Sequence, residues 1–413
     1  MNYLQNKLKT ICPVIKWMLI AVLTGILGGL IGTVFHICLE YVTAFRQNNY
    51  YIIMLLPVGG LVITFMYNAF SSKGNIDMKR IFEAIKNNKD IPIVMIPLIF
   101  LGTLITHMLG GSSGREGAAL QLGGSMGYNL GKALKQDKDN INLIVTAGMS
   151  SVFSALFGTP ITATVFALEV TGVNLFNYRG ILLGIISSIT AFFISQSIGV
   201  DAVTFDISSE FGLQSDVVLK VIILAVLCAG VCIIFALSIH KMEFLMKKYI
   251  VNSYIRAMIG GFLIVILTFV LRTSDYNGAG MDVVGRAISG EVKYAAFLMK
   301  IIFTAITVSA GFKGGEIVPT FFIGSTFGCF AGGLLGLNKG FGASLGLIAL
   351  FSGMTKCPIA AFFLALEVFD AKSIPLFLIV IIISYVLSGN FGLYENKKNY
   401  SKELFRKGIS LRN

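Results

Sequence analysis

Apolar stretches of about the length that crosses a bilayer recur along the chain, among them Trp17–Ala44, Tyr51–Phe70, Gly180–Gly199 and Val217–Leu237. About 20 apolar helical residues cross some 30 Å of hydrocarbon, so the pattern predicts an all-α membrane protein with many spans and excludes a single anchor. Several runs are apolar on every face, as expected of helices that meet lipid or other helices on all sides. The first run is too long for a signal peptide and has no convincing cleavage site after it. Polar residues gather near 201–216, where Asp201, Asp206, Glu210 and Asp216 mark a linker.

Composition agrees. Hydrophobic residues make up 55% of the chain and charged residues 13%, about half the roughly 25% of soluble domains. The 45 glycines are spread through the apolar runs, where small residues let helices approach and break inside a membrane. Six cysteines at irregular spacing fit neither a metal site nor a disulfide framework and read as buried thiols. No metal or cofactor motif is present. The net charge of +12 does not point to nucleic acid, because the cations flank the spans: Lys7, Lys9 and Lys16 in front, Lys397, Lys398, Lys402, Arg406, Lys407 and Arg412 behind. This positive-inside pattern places both termini in the cytoplasm of a cell inner (plasma) membrane protein.

The chain repeats itself. Gly158-Thr-Pro-Ile-Thr-Ala-Thr-Val-Phe-Ala-Leu-Glu-Val170 is echoed by Lys356-Cys-Pro-Ile-Ala-Ala-Phe-Phe-Leu-Ala-Leu-Glu-Val368, pairing Pro160 with Pro358 and Glu169 with Glu367 at one offset. Glu116 and Glu316, each flanked by glycine upstream of an apolar helix, fall at nearly the same offset. We expect one transmembrane domain over residues 1–413 made of two repeats, about 14–200 and 216–394, with no soluble regulatory domain after the last span. Transporter repeats often run in opposite directions, so the expected fold is a polytopic helical bundle of two inverted repeats whose broken helices meet near the midplane.

The chemistry concentrates in Gly110-Gly-Ser-Ser-Gly-Arg-Glu-Gly117. A carboxylate inside a membrane costs several kcal/mol and is by default functional. At a glycine-flanked helix N-terminus, free amides and the helix dipole attract an anion, and Glu116 can occupy the anion's place until it is protonated. Pairing of Glu116 with Arg115 in a plain loop is the structural alternative.

Gly114-Arg115-Glu116-Gly117 before an apolar helix with Gly123-Gly124 resembles the signature of the CLC family of chloride channels and anion/proton antiporters, and the resemblance runs from about residue 20 to 400. It implies a homodimer with one halide pathway per subunit, a gating and proton-carrying Glu116, and anion contacts around Gly114, Arg115 and Gly117. The stretch Gly311-Phe-Lys-Gly-Gly-Glu-Ile-Val-Pro319 looks like the family's second anion loop, implying that the amides of Glu316 and Ile317, beside Gly315, face the ion. Glu316 departs from the apolar residue usual there, and a carboxylate beside an anion implies a shared proton.

Where the family has a serine-proline loop, this chain reads Ser71-Ser-Lys-Gly-Asn-Ile-Asp-Met78. Gly74, Asn75 or Met78 lines the site, or the stretch is a helix-capping turn. Tyr394, with Tyr400 as competitor, matches the pore tyrosine, and an interfacial belt is the alternative for either. Val170 stands where antiporters carry a relay glutamate, whereas Glu169 reads as structural because Glu367 repeats it. A similar subgroup associated with fluoride export also lacks the serine and the relay and carries a glutamate in its second loop.

The resulting expectation is proton-coupled antiport of chloride or fluoride, with a passive chloride channel as the alternative. Gly111-Ser-Ser-Gly114 also fits an intramembrane serine protease, a distant reading because such an enzyme needs a histidine presented to its serine, so the chain is not expected to be an enzyme. No Walker A sequence supports ATP-driven pumping.

Overall fold

In a computed structural model the chain is described over residues 2–70, 77–87, 89–173, 177–206, 212–369 and 373–393, with side chains described from Val14 onward. Sixteen α-helices lie within these residues, and seven helical segments are long and apolar enough to cross a membrane. Four match the apolar runs named above: Val14–Asn48, Tyr50–Ala69, Tyr178–Ser197 and Ser215–Tyr249. The second run is not one α-helix. Its first turns, Tyr50–Leu55, are a 3₁₀ helix, and the α-helix Leu56–Ala69 starts with Pro57 in its first turn, where the missing N–H costs nothing.

The first half comprises α1 (Asn2–Asn48), α2 (Leu56–Ala69), α3 (Met78–Asn87), α4 (Met95–Met108), α5 (Glu116–Ala133), α6 (Lys138–Phe157), α7 (Pro160–Thr171) and α8 (Tyr178–Ser197). The second comprises α9 (Ser215–Tyr249), α10 (Ser253–Leu271), α11 (Met281–Ile288), α12 (Ala296–Ala310), α13 (Ile317–Leu334), α14 (Lys339–Thr355), α15 (Pro358–Phe369) and α16 (Ile374–Leu387). Packing repeats with the order. α1, α6 and α8 pack mutually, as do α9, α14 and α16, while α5 on α6 is matched by α13 on α14.

Glycine sets how close the last two pairs come. A Cβ on Gly123 would overlap the Gly148 carbonyl, and one on Gly324 would lie 2.5 Å from Gly346 O.

The halves are inverted, and two carboxylates make this visible. Glu367, near the end of α15, accepts from the N–H groups of Ile161 (2.9 Å) and Thr162 (2.7 Å) at the start of α7. Glu169, near the end of α7, accepts from Ile359 (3.3 Å) and Ala360 (2.7 Å) at the start of α15. Equivalent helices therefore run antiparallel, each capped by the other's glutamate. The structural reading of Glu169 agrees with this geometry. Between the halves, residues 201–206 stitch rather than dangle: Val203 N–H donates to Phe157 O and Phe205 N–H to Val368 O.

Candidate functional site: two facing helix N-termini

α4 and α12 stop short at Gly110 (φ +88°) and Gly311 (φ +102°), left-handed conformations that glycine adopts without strain. Each loop then turns back into α5 or α13. The two loops meet in an antiparallel bridge, Gly114 N–H to Gly315 O at 2.5 Å and Gly315 N–H to Gly114 O at 2.8 Å. A Cβ on Gly117 would come 3.0 Å from Gly315 Cα, so Gly114, Gly117 and Gly315 permit the approach. Threonines brace it: Ser112 N–H donates to Thr307 Oγ1 (3.1 Å) and Lys313 N–H to Thr106 Oγ1 (3.1 Å).

This bridge revises the repeat register. Gly114 pairs with Gly315, and the helix caps are Arg115 (φ −112°, ψ −14°) and Glu316 (φ −99°, ψ −3°). Glu316 is thus equivalent to Arg115, and Ile317 to Glu116. The offset between the halves is 201 at these loops and 198 at Pro160 and Pro358, a difference of three that matches the 20 residues of α6 against the 17 of α14.

Glu116 is fully buried. Its Oε2 accepts from Arg115 N–H and, across the bridge, from Val318 N–H, both at 3.1 Å, while Oε1 has no partner. The first N–H groups of a helix have no intrahelical acceptor, so the carboxylate sits on α13's positive end as an anion would. No hydrogen bond joins it to the Arg115 guanidinium. That group instead bonds His36 Nδ1 on α1 (3.1 Å) and lies 5.2 Å from the Phe157 ring centroid, and His36 Nε2 in turn meets the exposed Glu40 (2.9 Å). Because a guanidinium only donates, Nδ1 must accept and Nε2 carries the proton.

Glu316 takes the other direction. It lines a cavity of 440 Å³ together with Lys313, Gly117, His240, Glu243 and Asp77, and no hydrogen bond or ion pair joins its side chain to Glu116 or Lys313. Met78 and Leu393 line the same cavity, whereas Gly74, Asn75, Tyr394 and Tyr400 lie outside the described residues.

The protease reading finds no support here. Ser112 Oγ bonds Thr304 (3.0 Å), Ser113 Oγ bonds Lys313 O (3.4 Å), and His107 Nδ1 bonds Thr103 O (3.0 Å). Among the described residues no histidine is hydrogen-bonded to either serine. The sequence reading missed the Arg115–His36–Glu40 chain, although ionisable residues in the first apolar run were a signal for it. It also missed Lys300, fully buried on the carbonyls of Gly278 (2.7 Å) and Tyr276 (3.2 Å).

Inverted repeats whose broken helices aim their N-termini at one point define a class of multi-pass membrane transporter. Residues 59–389 match the family described as voltage gated chloride channel, and the chain belongs to this CLC family of anion transporters. It is 30% identical over 390 residues, 93% of this chain and 86% of the relative, to a "Chloride/fluoride channel protein" of Pseudomonas syringae pv. tomato. The crystal structure of a CLC-type fluoride/proton antiporter superposes with a TM-score of 0.88 at 31% identity, covering 92% of this chain and 97% of that one. A slow cyanobacterial Cl−/H+ antiporter shares the fold, with a TM-score of 0.79 at 17% identity over 95% and 99% of the two chains.

Proposed function

We propose that the chain is a proton-coupled halide antiporter with fluoride favoured over chloride, working as a homodimer in the cell inner membrane with both termini cytoplasmic. The observation that carries this reading is the Glu116 carboxylate seated on the Val318 amide at the N-terminus of α13. Ionised, it is held there by the helix dipole and two N–H donors. Protonated, it loses most of that attraction, and a halide takes its place on the amides of Ile317 and Val318, bounded by the backbone of Gly114, Arg115, Gly117 and Gly315. The family resemblance assigns Gly74, Asn75 and Tyr394 as further anion contacts.

Anion and proton thus compete for one place, which is the requirement for exchange. Glu316 passes protons between the cavity and Glu116. A protonated acid there donates a hydrogen bond, which favours a compact, strongly basic halide, and two similar proteins whose names include fluoride point the same way.

One observation favours a passive chloride channel instead: Val170, buried and without a titratable group, stands at the relay position. Purified protein in liposomes, assayed for fluoride and chloride efflux with simultaneous proton uptake, separates the readings. We expect fluoride efflux to drive protons inward against a gradient. Efflux with no proton movement establishes the channel, and transport of chloride alone overturns the fluoride assignment.

A further inference from the structure

The Arg115–His36–Glu40 chain takes no part in the exchange described above, yet it ends one residue from Glu116. Arg115 and Glu116 are neighbours of opposite charge, and Oε1 of Glu116 has no hydrogen-bond partner. A guanidinium stays charged and forks readily onto a carboxylate. Such a pair would favour the ionised acid, and a gate that opens when its carboxylate is neutralised would then stay shut.

Two groups hold the guanidinium elsewhere. The Phe157 ring centroid lies 5.2 Å from it, and His36 Nδ1 accepts one of its N–H groups at 3.1 Å. Neither carries a negative charge, so Arg115 is held without being neutralised, and its buried Nε has no partner. His36 is buried on α1, and α1 is fixed against α6 beside it: one turn earlier, a Cβ on Gly32 would come 2.8 Å from Ala155 Cβ. Phe157 is the last residue of α6. Glu40, one turn later on α1 and exposed, accepts the Nε2 proton at 2.9 Å, which leaves Nδ1 unprotonated and turned to Arg115. Among the described residues the charged groups facing the imidazole are Arg115 at the start of α5 and Glu40 on α1. An imidazolium carries N–H on both nitrogens and accepts nothing, so the arrangement requires a neutral ring.

We infer that His36 is a positioning residue for the gate: as a neutral imidazole whose tautomer Glu40 sets, it holds the Arg115 guanidinium off the Glu116 carboxylate. Glu116 then answers to the proton and the anion and not to a fixed countercharge. The inference rests on the reading of Glu116 as the gate.

His36→Phe keeps a ring in place and removes the acceptor. Arg115 is then free to reach Oε1 of Glu116, and the pH of half-maximal halide efflux from liposomes is expected to fall by about one unit, the lower end of what an adjacent arginine does to a carboxylate. His36→Asn, whose side-chain oxygen accepts close to where Nδ1 does, should restore the wild-type profile. In an Arg115→Gln background, His36→Phe should cause no further shift, because its effect runs through the guanidinium. An unshifted profile in a His36→Phe protein that elutes as wild type overturns the inference. So does a lower rate at every pH with an unchanged midpoint, which marks a purely structural histidine, and so does a shift that persists without Arg115. Wild-type halide flux that is absent or independent of pH defeats the gate reading instead, and the histidine is then read directly. Nitrogen NMR of histidine-labelled protein, with His36 identified by the signal lost in His36→Asn, should show Nε2 protonated and Nδ1 bare at neutral pH. An imidazolium or the opposite tautomer there overturns the positioning role.

Discussion

The two loops that meet at Gly114 and Gly315 differ in where they send their carboxylates. In the first, Glu116 turns inward and accepts from the Val318 amide of the other half's helix; in the second, Glu316 turns outward into a cavity. The cause is one residue of register. Glu116 is the first residue of α5, whereas Glu316 is the cap before α13, and successive positions at a helix start point about 100° apart. Arg115, the true counterpart of Glu316, likewise points away from the centre, toward His36 and Glu40 of α1. Glu316 faces the cavity wall that carries His240 and Glu243 of α9. Arg115 is thus bonded to a histidine on its own half's first helix, and Glu316 shares a cavity with a histidine and a glutamate on its own. Among the described residues, only the first half supplies a carboxylate to the centre.

The sharpest way to break this asymmetry is Glu116→Gln. Among the described residues it removes the only titratable side chain hydrogen-bonded to an α13 amide, so we expect anion-driven proton uptake to vanish while halide flux persists. Proton pumping at the wild-type ratio would remove Glu116 from the exchange.

Glu316→Gln probes the other side. We expect coupling to be lost and fluoride flux to fall, because a glutamine facing the cavity neither takes up nor releases the proton that Glu116 exchanges. Unchanged coupled transport in this variant would leave the cavity carboxylate without a relay role, and the two loops would differ in geometry alone.

Much of this was legible in the sequence. Long apolar runs betray spans because hydrocarbon demands about 20 residues, and the Glu169 and Glu367 echo betrayed the repeat. Direction was not legible, since an offset between similar segments carries no sign; the reciprocal caps on α7 and α15 supply it. A glycine-flanked carboxylate in an apolar chain also marked Glu116 as a candidate, and the structure places it between the two loops. Its neighbours were not legible. Both loops carry a glutamate next to glycine, and only the Gly114–Gly315 bridge tells which positions correspond. Nor does any local pattern say that Arg115 bonds a histidine 79 residues away or that Lys313 lies over Tyr67.

Where the halves agree, they should also fail alike. A Cβ on Gly123 or Gly324 meets the carbonyl of the facing glycine on α6 or α14, backbone that cannot move without shifting a helix. Gly123→Ala and Gly324→Ala should each destabilise by about 1–3 kcal/mol, read as a lower midpoint in thermal unfolding in detergent. A large loss in one and none in the other would mean that the two helix pairs are not equivalent.

The smallest expected effect tests the most symmetric feature. Glu169 and Glu367 each accept two backbone N–H bonds at the start of the opposite half's helix, where a negative charge is favourable. Glutamine keeps one acceptor oxygen and loses the charge, and alanine loses both, so stability should fall in the order glutamate, glutamine, alanine. The alanine step should cost about 1 kcal/mol, the usual worth of a helix N-cap. Because the caps are reciprocal, Glu169→Ala and Glu367→Ala should lower the unfolding midpoint by similar amounts. Neither should alter the proton-to-halide ratio, since each carboxylate is engaged with helix amides and faces neither Glu116 nor the cavity. This sets Glu169 apart from the neighbouring position 170, where the resemblance to the family's antiporters would place a relay acid. If Glu169→Gln abolishes coupling while Glu367→Gln leaves it intact, the first half carries a proton group beyond Glu116, and the matched caps conceal a functional difference between the halves.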